Sequence, residues 1–560
     1  MQSILTLLDI LSTFIEKKGI IIITIITLAF LVTALSNLGF GEVPTTTMRL
    51  SKGDTFYIEL EASRIVDSAM ILIKNGDIIL KISTGSLNNW HIELSKSIQG
   101  YYSWQKIPLN EESSYIRFEA EGAGAELAEI CFTDPEGERL PIASIHAMNG
   151  SGFERLIDEQ EKISLPISYM SETYFDEVYF VRAAEDYLNA RYPYENTHPP
   201  LGKEIIAASI AILGYSPFSW RIMGVLFAAL IIPVLYILGK DLTGSWIWGS
   251  VAALLFTLDF MHFTLARIAT VDTYVVFFSL VSQVFFLKHL KTTNHSGGLS
   301  FWIVVLWAIF FGAAFSTKWY ALFGLLGQFF LLAALRNRWI KGNGDNTGAA
   351  QTPGLAKILI IFLGAGGAVY LSTYIPQITM GYGIQDIVRE QFSMFSYHYD
   401  LATTHPFSSP WYSWPIIYQP IWLSFSDFSN GNVSTIAALG NPAVWWVGIA
   451  AILFCLYKFI RERDPASLFI LSAFSFQWLP YALLSRPLFL YHYYMNVPIL
   501  CLATAIFLRE IFSKGKLKPV ILVYLLVTVY LFATFYTVIS GNPVPADLVY
   551  SLRWFNSWKF

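Results

Sequence analysis

The sequence predicts a mainly α-helical, polytopic membrane protein that carries an inserted β-sandwich domain. Three observations predict this class: 54% of the 560 residues are apolar, only 14% are charged, and the apolar residues gather in long runs. Soluble chains carry roughly 25% charged residues. A water-soluble enzyme of this size is therefore excluded, and the aromatic content of 16% suits side chains at lipid interfaces.

Eleven apolar runs approach or exceed the roughly 20 residues that cross a bilayer, and they predict eleven transmembrane helices. The runs cover residues 19–38, 221–239, 246–263, 271–287, 301–317, 320–335, 358–375, 441–457, 467–484, 492–508 and 519–540. A twelfth run, residues 204–214, is too short to cross unaided and equally fits a helix that lies flat at the interface.

Basic residues decide how this twelfth run is interpreted and how the chain is oriented. Cytoplasmic loops carry an excess of Lys and Arg. If residues 204–214 do not cross, sixteen basic residues share one side, against three in the short loops opposite. We therefore predict eleven spans, a cytoplasmic N-terminus and an external C-terminus.

A β-sandwich is predicted within the first of two long external segments, 39–220 and 376–440. Charges reappear there and apolar residues alternate with polar ones, as in TFYIELE from Thr55 and YIRFEAE from Tyr115. The dipeptide Asn75-Gly76 between two apolar stretches is a strong hairpin signal, because both central residues of the favoured turn need positive φ. We expect this domain to serve as a docking or spacer module.

These segments define the predicted domain organisation. It comprises the cytoplasmic N-terminus with the first span (1–44), the external β-sandwich (45–155), a first external loop with interfacial helices (156–220), spans two to seven (221–375), an external loop that could form a substrate lid (376–440), and spans eight to eleven with the external C-terminus (441–560).

Charge and metal-ligand patterns exclude several classes of function. A formal net charge of −4 gives no basic face for nucleic-acid binding. No cluster of His and carboxylate residues has metal-ligand spacing, so we expect catalysis without a metal or another cofactor. The three cysteines form neither a disulfide framework nor a zinc motif.

Polar residues concentrate directly after the β-sandwich, in YFDEVYFVRAAEDYLNARYPYENTHPPLGKEIIAAS. A helix is predicted to start near Asp176, because acidic residues in the first turn suit the helix dipole. A second helix is predicted after Pro199 and Pro200, since a first turn tolerates proline. Taken alone, Asp176 and Glu177 are most simply a solvated helix start.

Basic side chains recur at the predicted outer ends of the spans, on the same side as this acidic pair. Burying one arginine side chain within a bilayer costs about 2.5 kcal/mol or more, and a single such arginine can avoid this cost when its charged end snorkels to the interface. Several cations beside two carboxylates instead indicate a site for an anion such as a lipid-linked phosphate, because guanidinium groups hold phosphate oxygens bidentately. The cations are Lys203, Arg221, Arg267, Lys318 and Arg486.

Seven runs between about residue 165 and residue 510 resemble the protein O-mannosyltransferase family, membrane glycosyltransferases of the GT-C type. They are FDEVYF, THPPLGK, WRIMGVLFAALIIPVLYILGK, ARIATVDTYVVFF, STKW, HPFSSPWYSWP and RPLFLYHYYMNVPIL. The resemblance implies a GT-C helical bundle, a polyprenyl or dolichyl phosphate mannose donor, and inverting transfer to Ser/Thr hydroxyls on the external face. It also implies that Asp176 is the general base, Glu177 its companion, and Arg221 the basic residue near the catalytic centre.

The predicted donor site follows from this chemistry. Departure of a sugar phosphodiester needs stabilisation of the phosphate more than a protonating acid, which suits Arg221, with Lys203, Arg267 and Arg486 as weaker candidates. His198 either contacts the donor or only ends a turn before the prolines; the sequence favours neither.

Aromatic and histidine residues are predicted to cover the acceptor or the sugar. His405, Trp411, Tyr412 and Trp414 fit a lid, although the prolines around them equally describe a rigid structural loop. His492 fits the same role, and its tyrosine neighbours also fit an interfacial aromatic belt.

Two departures from the eukaryotic pattern leave alternatives open. Residues 376–440 are too few for the β-trefoil of eukaryotic members, so the chain is similar to bacterial and archaeal ones, and a prokaryotic plasma membrane is expected. The β-sandwich leaves a glycolipid or cell-wall polymer open as acceptor in place of a protein. A transporter or flippase would favour related halves and a midplane site. Expected partners are the lipid-linked donor, an acceptor protein and membrane lipids; a dimer is compatible with the family.

Overall fold

The computed structural model describes residues 2–87, 89–122, 124–292, 300–336, 354–401, 403–428, 430–515 and 518–560. It has a β domain, inserted after the first helix, and a bundle of apolar helices. Of the sixteen basic residues counted on one side of the predicted spans, Arg338, Lys341 and Lys516 lie outside the described residues.

The β domain consists of five antiparallel strands. They are β1 (Met48–Arg49), β2 (Thr55–Ser86), β3 (Asn89–Glu121), β4 (Glu126–Thr133) and β5 (Ile142–Asn149). β2 and β3 bend, so that each contributes to two layers. In one layer, β5 and residues 115–121 of β3 flank residues 55–60 of β2; in the other, β4 and residues 101–108 of β3 flank residues 68–75 of β2. The layers enclose an apolar core, as in a β-sandwich.

The hairpin predicted at Asn75-Gly76 is wrong. Both residues lie inside β2, and Gly76 pairs with Gly100 of β3. The φ angles of Gly76 and Gly100, 114° and 148°, belong to the region that favours glycine. The two glycines therefore let both strands bend at the same point, where they cross between the layers. The chain reverses instead between Ser86 and Asn89, which pair with each other.

Helices form most of the remaining described chain, and most of them meet in one large apolar core. They are α1 (Gln2–Leu35), α2 (Glu177–Leu188), α3 (Leu201–Leu213), α4 (Pro217–Thr243), α5 (Trp246–Thr257), α6 (Phe260–Ala266), α7 (Asp272–Thr292), α8 (Ser300–Phe315), α9 (Ala321–Arg336), α10 (Leu355–Ile361), α11 (Gly367–Ser372), α12 (Ile375–Thr379), α13 (Ile384–Asp400), α14 (Pro442–Glu462), α15 (Pro465–Trp478), α16 (Val497–Ser513), α17 (Lys518–Ile539) and α18 (Ala546–Ser551).

Each of the eleven predicted spans coincides with an apolar helical segment. Among the described residues, eight segments are long and apolar enough to cross a membrane, and the pair α5 and α6, bent by 64°, raises the number to nine. The remaining two, Phe301–Phe315 and Ala321–Leu335, are apolar but shorter. The run at residues 204–214 falls largely within α3, whose 13 residues are too few to cross.

A second antiparallel sheet, which the sequence analysis does not predict, forms near the end of the later long segment. It contains β6 (Ile421–Asp427), β7 (Asn432–Ala438) and β8 (Val544–Pro545), in that order. Asn430 and Gly431 lie in the turn between β6 and β7, where Gly431 has φ 79°. Residues 376–440 thus contain a folded hairpin as well as the helix α13.

The β domain packs directly on the helical part. In β2, Ile71 and Ile73 face the core of the domain, whereas Met70 and Leu72 belong to a separate apolar cluster. Since successive side chains of a strand point to opposite faces, one layer carries two apolar faces. Its outer face contacts α2, α3 and α4, and the largest side chains of this contact are Tyr101, Tyr102, Trp104 and Trp220.

Candidate active site

The acidic pair lies where α2 begins, as the sequence predicts. Asp176 caps the helix and Glu177 is its first residue. The preceding Phe175 has φ 50°, a strained conformation for a bulky side chain that occurs mainly where surrounding structure enforces it. Glu177 is completely buried, whereas Asp176 is half-buried. The two carboxylates therefore have different surroundings.

Glu177 forms a buried bidentate ion pair with Arg221. Arg221 donates from Nε and Nη2 to the two carboxylate oxygens, each over 2.7 Å. The backbone N–H of Ala269 donates to Glu177 Oε1 over 2.9 Å. Neither charged side chain is exposed to solvent. Glu177 has its oxygens occupied by the protein and is not available to a substrate.

Arg221 has no donor left for a phosphate. Besides Glu177, its guanidinium donates to the carbonyl oxygens of Leu38, Tyr169 and Glu172, over 3.0, 2.8 and 2.8 Å. These bonds use all five N–H groups of an arginine. In this arrangement Arg221 holds Glu177, the residue Leu38 after α1 and the segment 169–172. Its contact with the donor phosphate stays a prediction.

Lys203 closes the THPPLGK loop rather than facing a ligand. Its ammonium donates to Glu195 Oε2 over 2.9 Å, and to the carbonyl oxygens of Glu195 and His198 over 2.8 and 2.7 Å. Its three N–H groups are thus used within the loop, and its contact with the donor stays a prediction. His198 Nδ1 lies 2.9 Å from Glu195 Oε1. Burial raises the pKa of Glu195, but Lys203 and then His198 outweigh it and hold that pKa well below its usual range.

Arg267 joins helix ends. Its guanidinium donates to the carbonyl oxygen of Ala34 in the last turn of α1 and to those of Ser36 and Asn37, which follow this helix. It also donates to the carbonyl oxygen of Ser540 after α17, and the four bonds span 2.6 to 3.1 Å. Free carbonyls at helix ends favour such cations. Arg267 is 3% exposed and has a structural role in this arrangement. Its contact with the donor stays a prediction.

Arg486 differs from these three cations. Its Nη1 contacts His398 Nδ1, and its Nη2 lies 3.5 Å from His492 Nε2. Its Nε is buried and has no acceptor among the described residues. His398 Nε2 donates to the carbonyl of Thr197 over 2.8 Å, which leaves Nδ1 as the acceptor from Arg486. Burial, then the charges of His198 and Arg486, lower the pKa of His398 to about 3, so this acceptor form persists at neutral pH.

Asp176 keeps its carboxylate free of hydrogen bonds to the described residues while lying near several charges. Burial raises its pKa to about 7; Lys318 counteracts this shift, and Asp272 and Glu195 add to it. Lys318 donates to Asp272 Oδ1 over 2.9 Å. A carboxyl group with this pKa, within reach of solvent, is poised to take a proton near neutral pH.

Ring contacts connect Asp176 with Arg486. Phe175 packs edge-on against Tyr491 at 6.4 Å between ring centroids, and Tyr491 stacks on His492 at 4.6 Å. On the other side, the rings of His198 and His398 lie 5.3 Å apart. We call this group the polar cluster; its members are Asp176, Glu195, His198, Lys318, His398, Arg486, Tyr491 and His492.

Two of the predicted cover residues are part of the protein interior. Trp414 is fully buried and donates Nε1–H to Ser409 Oγ over 3.1 Å. His492 is 4% exposed and stacks on Trp414 with ring centroids 6.0 Å apart. Both rings are buried in this arrangement, and their predicted role as a cover stays a prediction. His492 instead packs beside Arg486.

The other three residues that are predicted to cover a substrate lie in the same loop and differ in their exposure to solvent. Trp411 packs against Trp478, 5.2 Å between centroids, and is half-buried. Tyr412 is 66% exposed, and His405 is exposed beside Phe489. A role of His405 and Tyr412 near the acceptor stays a prediction.

The β domain holds the backbone that leads into the acidic pair, which sequence reasoning missed. Thr173 N–H donates to the carbonyl of Tyr102 over 3.0 Å, and Thr173 Oγ1 to that of Tyr101 over 2.6 Å. Trp104 N–H donates to Glu172 Oε2 over 2.7 Å. Strand β3 is therefore hydrogen-bonded to the chain three and four residues before Asp176.

Sequence reasoning also missed Glu195 and His398 and did not place Lys318 next to Asp176. Glu195 precedes His198 by three residues, and this spacing could have indicated a loop-closing contact. His398 lies in α13, about 200 residues along the chain from Thr197. No local pattern relates these two residues, because their contact depends on how distant helices pack.

Comparisons with known proteins identify the family of the chain. The family model of the dolichyl-phosphate-mannose-protein mannosyltransferases matches residues 215–375, and that of the C-terminal four-transmembrane region of protein O-mannosyltransferases matches residues 383–558. Together they cover more than half of the chain.

Curated relatives and a solved structure are similar over most of their length. A polyprenol-phosphate-mannose–protein mannosyltransferase of Corynebacterium glutamicum is 26% identical over 65% of this chain and 81% of its own. A protein of the same name from Mycobacterium tuberculosis is 25% identical over 69% and 86%. The yeast Pmt1-Pmt2 complex bound to the sugar donor has a TM-score of 0.60 at 14% identity, over 71% of this chain and 90% of that chain, and shows the shared fold.

Removing one partner of the Glu177–Arg221 pair should destabilise the protein strongly. Glu177→Gln or Arg221→Met leaves an unpaired buried group, which typically costs about 3–5 kcal/mol. We expect a clearly lower melting temperature of the purified protein in detergent. Arg389→Met is the matched control, because it breaks an exposed pair with Asp386 and should change little. Equal melting temperatures for Glu177→Gln and the control would contradict this role.

The raised pKa of Asp176 predicts a pH-dependent stability difference. The folded protein keeps this carboxyl neutral up to about pH 7, whereas the unfolded chain loses the proton from about pH 4. The stabilisation is thus complete below about pH 4 and lost as the pH rises to about 7. Asp176→Asn should melt above wild type at alkaline pH, and the difference should shrink towards acidic pH. A difference that does not vary with pH would exclude the burial effect.

Proposed function

Because the chain belongs to the protein O-mannosyltransferase family, we propose that it transfers mannose from a polyprenyl phosphate carrier to Ser/Thr hydroxyls of proteins. It is an integral membrane glycosyltransferase. The observation that carries the mechanism is the half-buried Asp176, whose carboxyl group has a pKa of about 7. The ring contacts of Phe175, Tyr491 and His492 lead from it to Arg486, whose buried Nε has no acceptor among the described residues.

Asp176 is the proposed general base. Its carboxylate takes the proton of the acceptor hydroxyl while the oxygen forms its bond to the anomeric carbon of mannose. The bond from that carbon to the phosphate oxygen breaks in the same displacement, so the configuration inverts. One carboxylate suffices for such a single displacement. Glu177 does not take part directly, since Arg221 and Ala269 occupy its oxygens.

Arg486 is the proposed phosphate-binding residue. The departing polyprenyl phosphate carries negative charge, which a guanidinium group stabilises with oriented N–H donors. The buried Nε–H of Arg486 has no acceptor among the described residues. A phosphate oxygen would supply one. His398 and His492 contact the other guanidinium nitrogens and so hold its orientation. With this cation serving the leaving group, the reaction is proposed to need no metal ion.

The orientation in the membrane is part of the proposal. The excess of basic residues on one side of the predicted spans supports a cytoplasmic N-terminus and an external polar cluster. The β domain, attached beside the acidic pair, would then lie on the side where acceptor proteins are found. A prokaryotic plasma membrane is the proposed location.

Asp176→Asn should abolish most transfer without unfolding the protein. Loss of a general base typically lowers a rate by about 10²–10⁴-fold. The assay combines purified protein, polyprenyl phosphate mannose and a Ser/Thr peptide, with mass spectrometry of the peptide and a melting curve for each variant. Asp386→Asn, an exposed carboxylate of α13, is the control and should keep full activity.

Two results would contradict the proposal for Asp176 and its acceptor. Unchanged transfer by Asp176→Asn would remove the assigned base. Mannose found on a glycolipid included in the same assay, and not on the peptide, would replace the protein by a lipid as acceptor.

Arg486→Gln should slow transfer by about 10²-fold or more, the usual effect of removing one group that stabilises developing anionic charge. It should also weaken product inhibition by free polyprenyl phosphate, because the same guanidinium would bind that phosphate. Arg389→Gln, an exposed arginine, is the control. Normal inhibition of Arg486→Gln by polyprenyl phosphate would show that the phosphate binds elsewhere.

A further inference from the structure

A polar cleft of about 380 Å³ separates the β domain from the second half of α2. Lys74 and Asn75 of β2 and Glu126 of β4 line one side, and Arg182 and Glu185 of α2 line the other. None of its lining residues belongs to the polar cluster around Asp176. The cleft is therefore separate from the proposed site of transfer.

The charges of the cleft balance. Three basic and three acidic side chains line it, the remaining pair being Arg191 and Asp186, whose Nε and Oδ1 lie 3.3 Å apart. An anion or a cation would meet repulsion from half of these groups. A neutral ligand rich in hydroxyl groups would not, because each hydroxyl can donate to a carboxylate and accept from a guanidinium.

Contacts at one end of the cleft join its two sides and hold them in place. Lys74 Nζ lies 2.9 Å from Glu185 Oε2 and 3.5 Å from the ring centroid of Tyr215. Tyr101 donates its hydroxyl proton to Glu185, and Tyr215 donates to the Tyr101 hydroxyl oxygen over 3.0 Å. Polar groups fixed beside aromatic rings suit a ligand with alternating apolar and hydroxyl-bearing faces.

One polar atom at the cleft lacks a partner. Asn75 Oδ1 is buried and has no hydrogen-bond donor among the described residues. An unsatisfied buried acceptor is costly. A turn of the half-buried Asn75 amide towards a ligand hydroxyl would remove that cost. Asn75 sits at the bend of β2 where the strand crosses between layers, so the fold places this atom at the edge of the domain.

We propose that this cleft binds a mannose already attached to the acceptor protein. The inference rests on the proposed function, which supplies a mannosylated product. Asp176 precedes α2, and Glu185 lies nine residues further along, an axial rise of about 13 Å and about two and a half turns, so the two carboxylates face opposite sides of the helix. An extended peptide needs at least about four residues for the axial rise alone. A sugar bound in the cleft would thus direct transfer to a hydroxyl four or more residues away.

Binding without the donor tests the cleft directly. A labelled Ser/Thr peptide with one α-mannosyl threonine and its unmodified counterpart are titrated with the full-length protein, and fluorescence anisotropy is recorded. We expect the mannosylated peptide to bind about fivefold more tightly, the effect of about one net hydrogen bond. Asn75→Ala and Glu126→Gln should each reduce this preference. Asn89→Ala, an exposed asparagine at the hairpin end of the same domain, should retain it.

Transfer assays then test the spacing. A peptide with mannose four residues from a free threonine should be modified faster than one with mannose on the adjacent residue, and Asn75→Ala should remove this difference. Equal binding of both peptides, or a preference that survives both cleft variants, would overturn the inference. Because binding is measured without the donor, it remains decisive if the transfer assay identifies another acceptor.

Discussion

The ion pair between Glu177 and Arg221 is the constraint on which the site depends. A guanidinium without solvent contact must satisfy every N–H inside the protein, and Arg221 does so by joining Glu177 to three separate loop carbonyls. The start of α2 is consequently tied to the end of α1 and to the segment around Glu172. A buried pair is weak evidence of net stability but strong evidence of a specified arrangement.

This pair explains why two adjacent carboxylates have different roles. Side chains at neighbouring helix positions diverge, so Glu177 points into the protein while Asp176 remains half-buried beside Lys318. The strained φ of Phe175 accompanies this change of direction. One carboxylate belongs to the framework, while the other makes no hydrogen bond to the described residues and is the proposed base.

Composition and run length were sufficient to predict the helices, because apolar length is a physical requirement for crossing lipid. The dipeptide Asn-Gly shows the limit of local patterns: it lies in the turn before β7 at Asn430 but inside a bent strand at Asn75, where pairing with Gly100 of a distant strand decides the outcome. The roles of cations were least predictable. Arg221, Lys203 and Arg267 look like ligands in sequence, and only three-dimensional packing shows that carbonyl oxygens occupy their donors.

The hydrogen bonds between β3 and the residues Glu172 and Thr173 limit how freely the inserted domain can be exchanged or removed. A module joined only through its two chain ends can be exchanged or deleted while its host keeps working. Here the backbone of the insert forms hydrogen bonds with the residues just before Asp176. The insert also buries its tyrosine and tryptophan rings against three host helices. Domain and host must therefore have changed together, and a shortened version of the chain would need a substitute for the missing strand.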